Sequence, residues 1–160
     1  MRPDWLPDLV LLDTYRGDWN LYIEALYTFF KKDFLDNDVY FNGLKIFIKT
    51  EPKKDGKEPS FWHLITEGDI EENREPERRR CERIRWSKPI IENYNQKCIL
   101  YWEKVRNNKT HIYFWLVQEQ YIVILTRRKK HFMFITAYVT EGYRKKQFRK
   151  DYLKYCRLKK

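Results

Sequence analysis

Glycine is scarce in this chain, five residues in 160, and no Gly-rich run cradles a phosphate, so a nucleotide-binding loop is excluded. Cysteine is scarcer still. Cys81, Cys98 and Cys156 lie too far apart for a metal knuckle, and their odd number argues against a disulfide framework, so reduced structural thiols are expected. No zinc spacing and no nucleophile elbow occurs, and neither a metal nor a cofactor is expected. No uninterrupted apolar stretch reaches membrane length, and the start, MRPDWLPDLVLLDTYRGDW, has no small-residue cleavage site. A cytoplasmic protein with no membrane contact is the expectation. The chain also lacks repeats, low-complexity tracts and linkers, which predicts a single domain over 1–160.

What is abundant is aromatic and charged. Aromatic residues make up 18 % and apolar residues 42 % of the chain, which excludes intrinsic disorder despite 35 % charged residues. From His111 to Thr140 the sequence reads as three runs of Ile, Val, Tyr, Phe and Trp between short polar connections, a β-meander. Strict alternation in the last run would put Met133, Ile135, Ala137 and Val139 on one face and Phe132, Phe134, Thr136 and Tyr138 on the other. The second face, open to a ligand, is the predicted floor of a site.

Ahead of it, residues 1–17 read as an irregular lead-in. Asp18 caps a helix over 19–35 whose Trp19, Tyr22, Leu26, Phe29, Phe30 and Phe34 recur at helical spacing. Asn42-Gly43 predicts a short hairpin, and 51–60 a polar loop. A helix around Cys81 and Ile84 ends at Ser87 and Pro89, where a second short one begins. Residues 98–105 fit a fourth strand or a helix end, with strand favoured. The fold class expected is α+β: 19–95 mainly helical with a short hairpin, an antiparallel sheet over 98–140, and a basic helix over 141–160.

The net charge of +10 is concentrated at the end of the chain. Thirteen Lys and Arg stand against Glu141 and Asp151 from residue 127 onward, leaving 20 basic and 21 acidic residues before it. The block Arg127, Arg128, Lys129, Lys130, Arg144, Lys145, Lys146 and Arg149 is the candidate RNA-binding surface. His, Arg, Thr and Tyr together suffice for metal-free RNA cleavage: a base takes the 2′-hydroxyl proton, cations stabilise the phosphate, and an acid protonates the leaving oxygen.

Several short motifs converge with that chemistry. FWHL at 61–64, ERIRW at 82–86, PIIEN at 89–93, YIVIL at 121–125, and TAYV at 136–139 followed by YRKKQFRKDY resemble the phage- and mobile-element-associated barnase/EndoU/colicin/RelE-like (BECR) nuclease families. The resemblance spans roughly residues 19 to 155. It implies N-terminal helices packed on a twisted four-stranded antiparallel sheet, and an endoribonuclease of toxin type that forms a 2′,3′-cyclic phosphate. The catalytic residues it implies are His63, Arg83, Arg85, Thr136 and Tyr138. RNA is the implied partner, with an antitoxin or immunity protein as a second one.

Plainer readings stand beside these. A lone His between Trp62 and Leu64 is commonly a satisfied, half-buried side chain, Arg83 and Arg85 can simply pair with Glu82 and its neighbours, and Thr136 and Tyr138 can be ordinary strand residues. His111 and His131 read as surface positions, with His131 the substitute for His63. The competing functions are a nucleic-acid-binding protein without catalysis and a phage or antitoxin interaction protein using the same tail and aromatic face.

Overall fold

Asn42 and Gly43 both adopt positive φ, 50° and 79°, and turn the chain between β1 (Tyr40–Phe41) and β2 (Leu44–Phe47). The computed structural model describes residues 2–159. In front of this hairpin stands α1 (Trp19–Phe34), whose N-terminus is capped by Asp18: the carboxylate accepts from the Leu21 amide at 3.2 Å. Tyr22, Ile23, Leu26, Phe30 and Phe34 form its buried stripe.

Four long strands follow further on: β5 (Ile99–Arg106), β6 (Lys109–Leu116), β7 (Tyr121–Arg127) and β8 (Phe132–Val139). Between β2 and β5 lie α2 (Pro59–Ile65), the two-residue strands β3 (Thr66–Glu67) and β4 (Glu75–Pro76), and the short helices α3 (Arg78–Glu82) and α4 (Ser87–Glu92). The chain ends in α5 (Gly142–Leu158).

The sheet corrects the expected fold class. It has six strands in the order β1-β2-β8-β7-β6-β5, and it is mixed, because β2 runs parallel to β8 through Ile46 opposite Phe132 and Phe47 opposite Met133. Only α1 precedes the sheet among the α-helices; α2, α3 and α4 are inserted between strands and α5 follows the last one. The physical reason is the hairpin's own apolar side. Val39, Phe41 and Ile46 are buried, and the Phe41 ring packs 5.1 Å from Phe114 and 5.2 Å from Phe132. Burying that side draws β2 onto the edge of β8, a pairing between residues far apart in sequence that no local pattern records.

A second correction concerns β8. Leu125 pairs with Phe134 but Ile124 pairs with Thr136, so Ile135 is an extra, unpaired residue in the strand. The bulge reverses the phase of alternation. Phe132 and Phe134 before it, and Ala137 after it, belong to one core, together with α1, α2 and α4. Thr136 and Tyr138 face the other way.

The opposite side of the sheet is not an open floor. Trp102, Tyr113, Trp115, Ile122 and Ile124 form a second core there, closed by Phe148 of α5. Trp102 and Tyr113 stack with ring centres 4.9 Å apart and planes within 4°. In α5, Phe148, Tyr152 and Tyr155 recur at helical spacing against this core, whereas Leu153 is 51 % exposed. The basic helix is therefore half scaffold, with its lysines and arginines on the outer side.

Candidate functional site

Because β2 pairs with only the first two residues of β8, no described strand bonds the outer edge of β8 beyond Met133. The helices α2 and α3 pack against β8 instead. A cleft of about 530 Å³ opens where they meet the second half of β8 and the start of α5. His63 comes from α2, Arg79 and Arg80 from α3, Thr136 and Tyr138 from β8, and Arg144 from the first turns of α5.

Tyr138 is the centre of this arrangement. Its hydroxyl accepts from Arg144 Nη1 at 2.8 Å, and the guanidiniums of Arg80 and Arg144 lie 5.3 and 5.5 Å from its ring centre. Burial pushes the phenol's pKa upward, while Arg144 pulls it down. The net direction is up, so Tyr138 keeps its proton at neutral pH, and with Arg144 occupying a lone pair the hydroxyl hydrogen is available to a ligand.

Arg80 is fixed by the end of α2. Its Nη1 donates to the carbonyls of His63, at 2.9 Å, and Thr66, at 2.7 Å. Arg74 reinforces the same turn, donating to the Thr66 carbonyl at 2.6 Å and the Gly68 carbonyl at 2.7 Å. Cations at a helix C-terminus answer the free carbonyls and the negative end of the dipole. Burial, then the neighbouring charge of Arg74, holds the Arg80 pKa below its ordinary value. Both guanidiniums hydrogen-bond carbonyls, and Arg74 the Thr66 hydroxyl, rather than a carboxylate, while Glu67 and Glu77 act on Arg80 without a direct bond. Arg79 differs, being held by Glu77 at 2.7 Å and by Glu141.

His63 presents its ring at the rim, with Nε2 3.0 Å from a Glu71 carboxylate oxygen. A carboxylate only accepts, so Nε2 carries a hydrogen, and in the neutral ring the lone pair is then on Nδ1. Glu71 thus selects the tautomer.

The structure brings together four of the residues expected from sequence, His63, Thr136, Tyr138 and Arg144, and separates the rest. Arg83 turns away, donating to the Arg79 carbonyl at 3.1 Å and stacking over Trp86 at 5.1 Å. Arg85 lies over Phe29 at 4.8 Å. Neither lines the cleft. Arg127 pairs with Glu103 at 2.9 Å, and Arg128, Lys129 and Lys130 form the turn before β8, at the far end of that strand. His131, in the same turn, packs 4.7 Å from Phe47, and His111 on β6 is likewise outside the cleft. Lys145 reaches Gln120 Oε1 at 3.3 Å, Arg149 covers Trp115 at 5.4 Å, and Lys146 is exposed.

Arg74, Arg80 and Glu71 were not singled out as site residues from sequence. The excess of Arg over acid in ERRRCERIR shows that guanidinium is free, but not which one turns inward. Among the described residues, no group of three or more His, Cys, Asp or Glu is placed to hold a metal ion, and no helix is long and apolar enough to cross a membrane.

Comparison with known proteins finds no matching family model, no matching curated protein and no matching solved structure. The functional reading therefore rests on this chain's own residues.

Proposed function

We propose that this chain is a metal-independent, cytoplasmic endoribonuclease of toxin type that cleaves RNA through a 2′,3′-cyclic phosphate. The observation that carries the reading is that a tautomer-fixed histidine, a protonated tyrosine and two guanidiniums without carboxylate partners line one cleft. In this mechanism His63 Nδ1 takes the proton of the 2′-hydroxyl, and the 2′-oxygen forms a bond to phosphorus. Arg80 and Arg144 stabilise the charge that gathers on the phosphate oxygens. The bond to the 5′-oxygen breaks and Tyr138 supplies its proton. Thr136 positions the phosphate. Arg80 and Arg144 thus take the part that the resemblance implied for Arg83 and Arg85. An antitoxin or immunity protein is the partner such an activity requires in the producing cell.

The test is cleavage of RNA by purified protein in excess EDTA, with products ending in 2′,3′-cyclic phosphate. His63→Ala is expected to slow cleavage by about two to four orders of magnitude, the usual worth of a general acid or base, without lowering the melting temperature. A strict divalent-metal requirement, or full activity of His63→Ala, overturns the mechanism.

A second reading, RNA binding without catalysis, is favoured by a different observation. Glu67, Asp69, Glu77 and Glu141 line the cleft opposite Arg74, Arg79, Arg80 and Arg144, so the excess positive charge lies on α5 rather than in the cleft. On this reading RNA is retained by the protein intact.

A further inference from the structure

His63 and Arg74 line not one cavity but two. Behind them, away from Tyr138, a second cavity of about 300 Å³ lies between α2 and the 49–54 loop. Trp62, Lys49, Lys54 and Glu71 complete the wall that the argument needs. Its volume is at the lower end of the ~300–1,000 Å³ range of ligand pockets, enough for one flat group rather than a large cofactor.

We infer that this second cavity is a nucleobase subsite, in which Trp62 stacks on a base of single-stranded RNA while Lys49 and Lys54 meet the phosphate attached to it. The inference rests on RNA being the ligand of the larger cleft. Three observations carry it.

The first is the position of His63. A phosphodiester has a nucleotide on each side, so a residue that acts on it stands where two nucleotide subsites join. His63 stands at such a junction, since it lines both cavities. The second is the platform. The Trp62 indole N–H donates to the Lys54 carbonyl at 2.9 Å, and the ring packs 5.2 Å from Phe61, so its orientation is fixed while part of it stays exposed. The Lys54 ammonium lies over the ring, 5.8 Å from its centre, so a base stacking on that face displaces it, freeing it to meet the phosphate. A fixed aromatic surface beside a cation is the pairing by which single-stranded nucleic acid is held without regard to sequence. The third is charge. The larger cleft has as many carboxylates as guanidiniums, but here Lys49, Lys54 and Arg74 face only Glu71, which is engaged by His63. The smaller cavity is the more cationic of the two.

The experiment measures binding apart from cleavage, using the full chain and labelled 2′-O-methyl oligonucleotides of two to eight nucleotides, which cannot form the cyclic phosphate. Trp62→Ala is expected to weaken binding by roughly five- to a hundredfold, the usual effect of removing one stacking platform, and Trp62→Phe to stay close to wild type. Reversing both exposed lysines, Lys49→Glu with Lys54→Glu, is expected to weaken binding and to flatten the slope of log affinity against log salt by about one to two. The lysine pair decides the matter if Trp62→Ala does not fold. Wild-type binding that neither a folded Trp62→Ala nor the lysine pair alters overturns the subsite and leaves the ribonuclease reading intact. Loss of oligonucleotide binding in these variants, with no RNA cleavage by wild type, supports the subsite and overturns catalysis. Failure of wild type to bind any oligonucleotide overturns RNA as the ligand of both cavities, and leaves a protein partner as the occupant.

Discussion

Arg144 Nη1 donates to the Tyr138 hydroxyl at 2.8 Å, and the two residues come from consecutive elements, the end of β8 and the first turns of α5. The bond sets which lone pair of the phenol is used and so where its hydrogen points. Tyr138→Phe removes the proposed acid and is expected to slow RNA cleavage about a hundredfold or more while the fold persists, because the ring and its stacking are kept. Arg144→Ala leaves the phenol free to rotate, and an intermediate loss is expected. Equal activity of wild type and Tyr138→Phe, measured at saturating RNA, would assign the proton to another group.

Arg80 couples the site to stability. Its guanidinium bonds the carbonyls of His63 and Thr66 at the end of α2 and lies over Tyr138, so Arg80→Ala removes the shorter bond to His63 and leaves both carbonyls to Arg74, at 3.4 and 2.6 Å. The expected cost is about 1.5–3 kcal/mol for the lost hydrogen bonding to a charged donor, read as a lower midpoint in denaturant unfolding. Arg80→Lys should recover little of it, since a single ammonium does not reproduce the planar fork. If Arg80→Ala lost activity with no loss of stability, its role would be in the chemistry alone.

Much of this arrangement is legible in the sequence wherever a local signal suffices. Asp18 marks the start of α1, Asn42-Gly43 and Asn107-Asn108 mark two tight turns with positive φ, and Phe148 and Tyr152 mark the inner side of α5. Two features are not legible. One is the bulge at Ile135: nothing in FMFITAYV distinguishes an even strand from one that gains a residue halfway, yet the bulge decides that Phe132 and Phe134 enter the main core while Tyr138 reaches the cleft. The other is the parallel pairing of β2 with β8, which depends on packing between distant residues. Helix α2 has a start signal in Pro59 at its first turn, but PSFWHLI is too short and too evenly apolar to show a period. Among the arginines, Arg83 and Arg80 lie in one basic run and differ only in what surrounds them after folding.

Asp33, near the end of α1, gives a prediction with a definite sign in pH. Burial raises its carboxyl pKa, and the nearby charges of Lys88, Arg85 and Lys32 offset this only in part. A carboxyl whose pKa is higher in the folded state than in the unfolded one favours folding below its unfolded pKa, and that contribution is lost as pH rises through the folded value. Asp33→Asn should therefore be more stable than wild type at pH 7 and equal to it near pH 3. Denaturant unfolding at both pH values checks this, and a variant less stable at pH 7 would show that attraction to the lysines and Arg85 outweighs burial.

Phe148 tests whether α5 is scaffold as well as a charged surface. It is buried against Trp102, Tyr113 and Trp115, with ring centres 5.6–6.3 Å away. Phe148→Ala is expected to destabilise the protein by about 3–5 kcal/mol, the usual cost of removing a buried aromatic side chain. A change under about 1 kcal/mol would mean that the helix is held by something other than its apolar side.

If RNA is the ligand, as proposed, the two basic blocks should make separable contributions to its binding, because β8 holds them apart. From Phe132, beside the turn, to Tyr138, in the cleft, the strand advances roughly 20 Å at about 3.3 Å per residue. Replacing Lys145, Lys146 and Arg149 by Gln removes cations next to Arg144 and is expected to flatten the salt dependence of RNA affinity by about two, near 0.7 per neutralised phosphate contact on a single strand. That effect should appear even with short oligonucleotides. Replacing Arg128, Lys129 and Lys130 removes charge from the far end of the strand, so short oligonucleotides should bind as before, while longer RNA loses part of its salt dependence. Affinity measured across a salt series, for two oligonucleotide lengths and both triple variants, distinguishes the cases. If the turn variant weakens short oligonucleotides as strongly as the helix variant does, the RNA is seated at the other end of β8, and the cleft around His63 and Tyr138 is not its site.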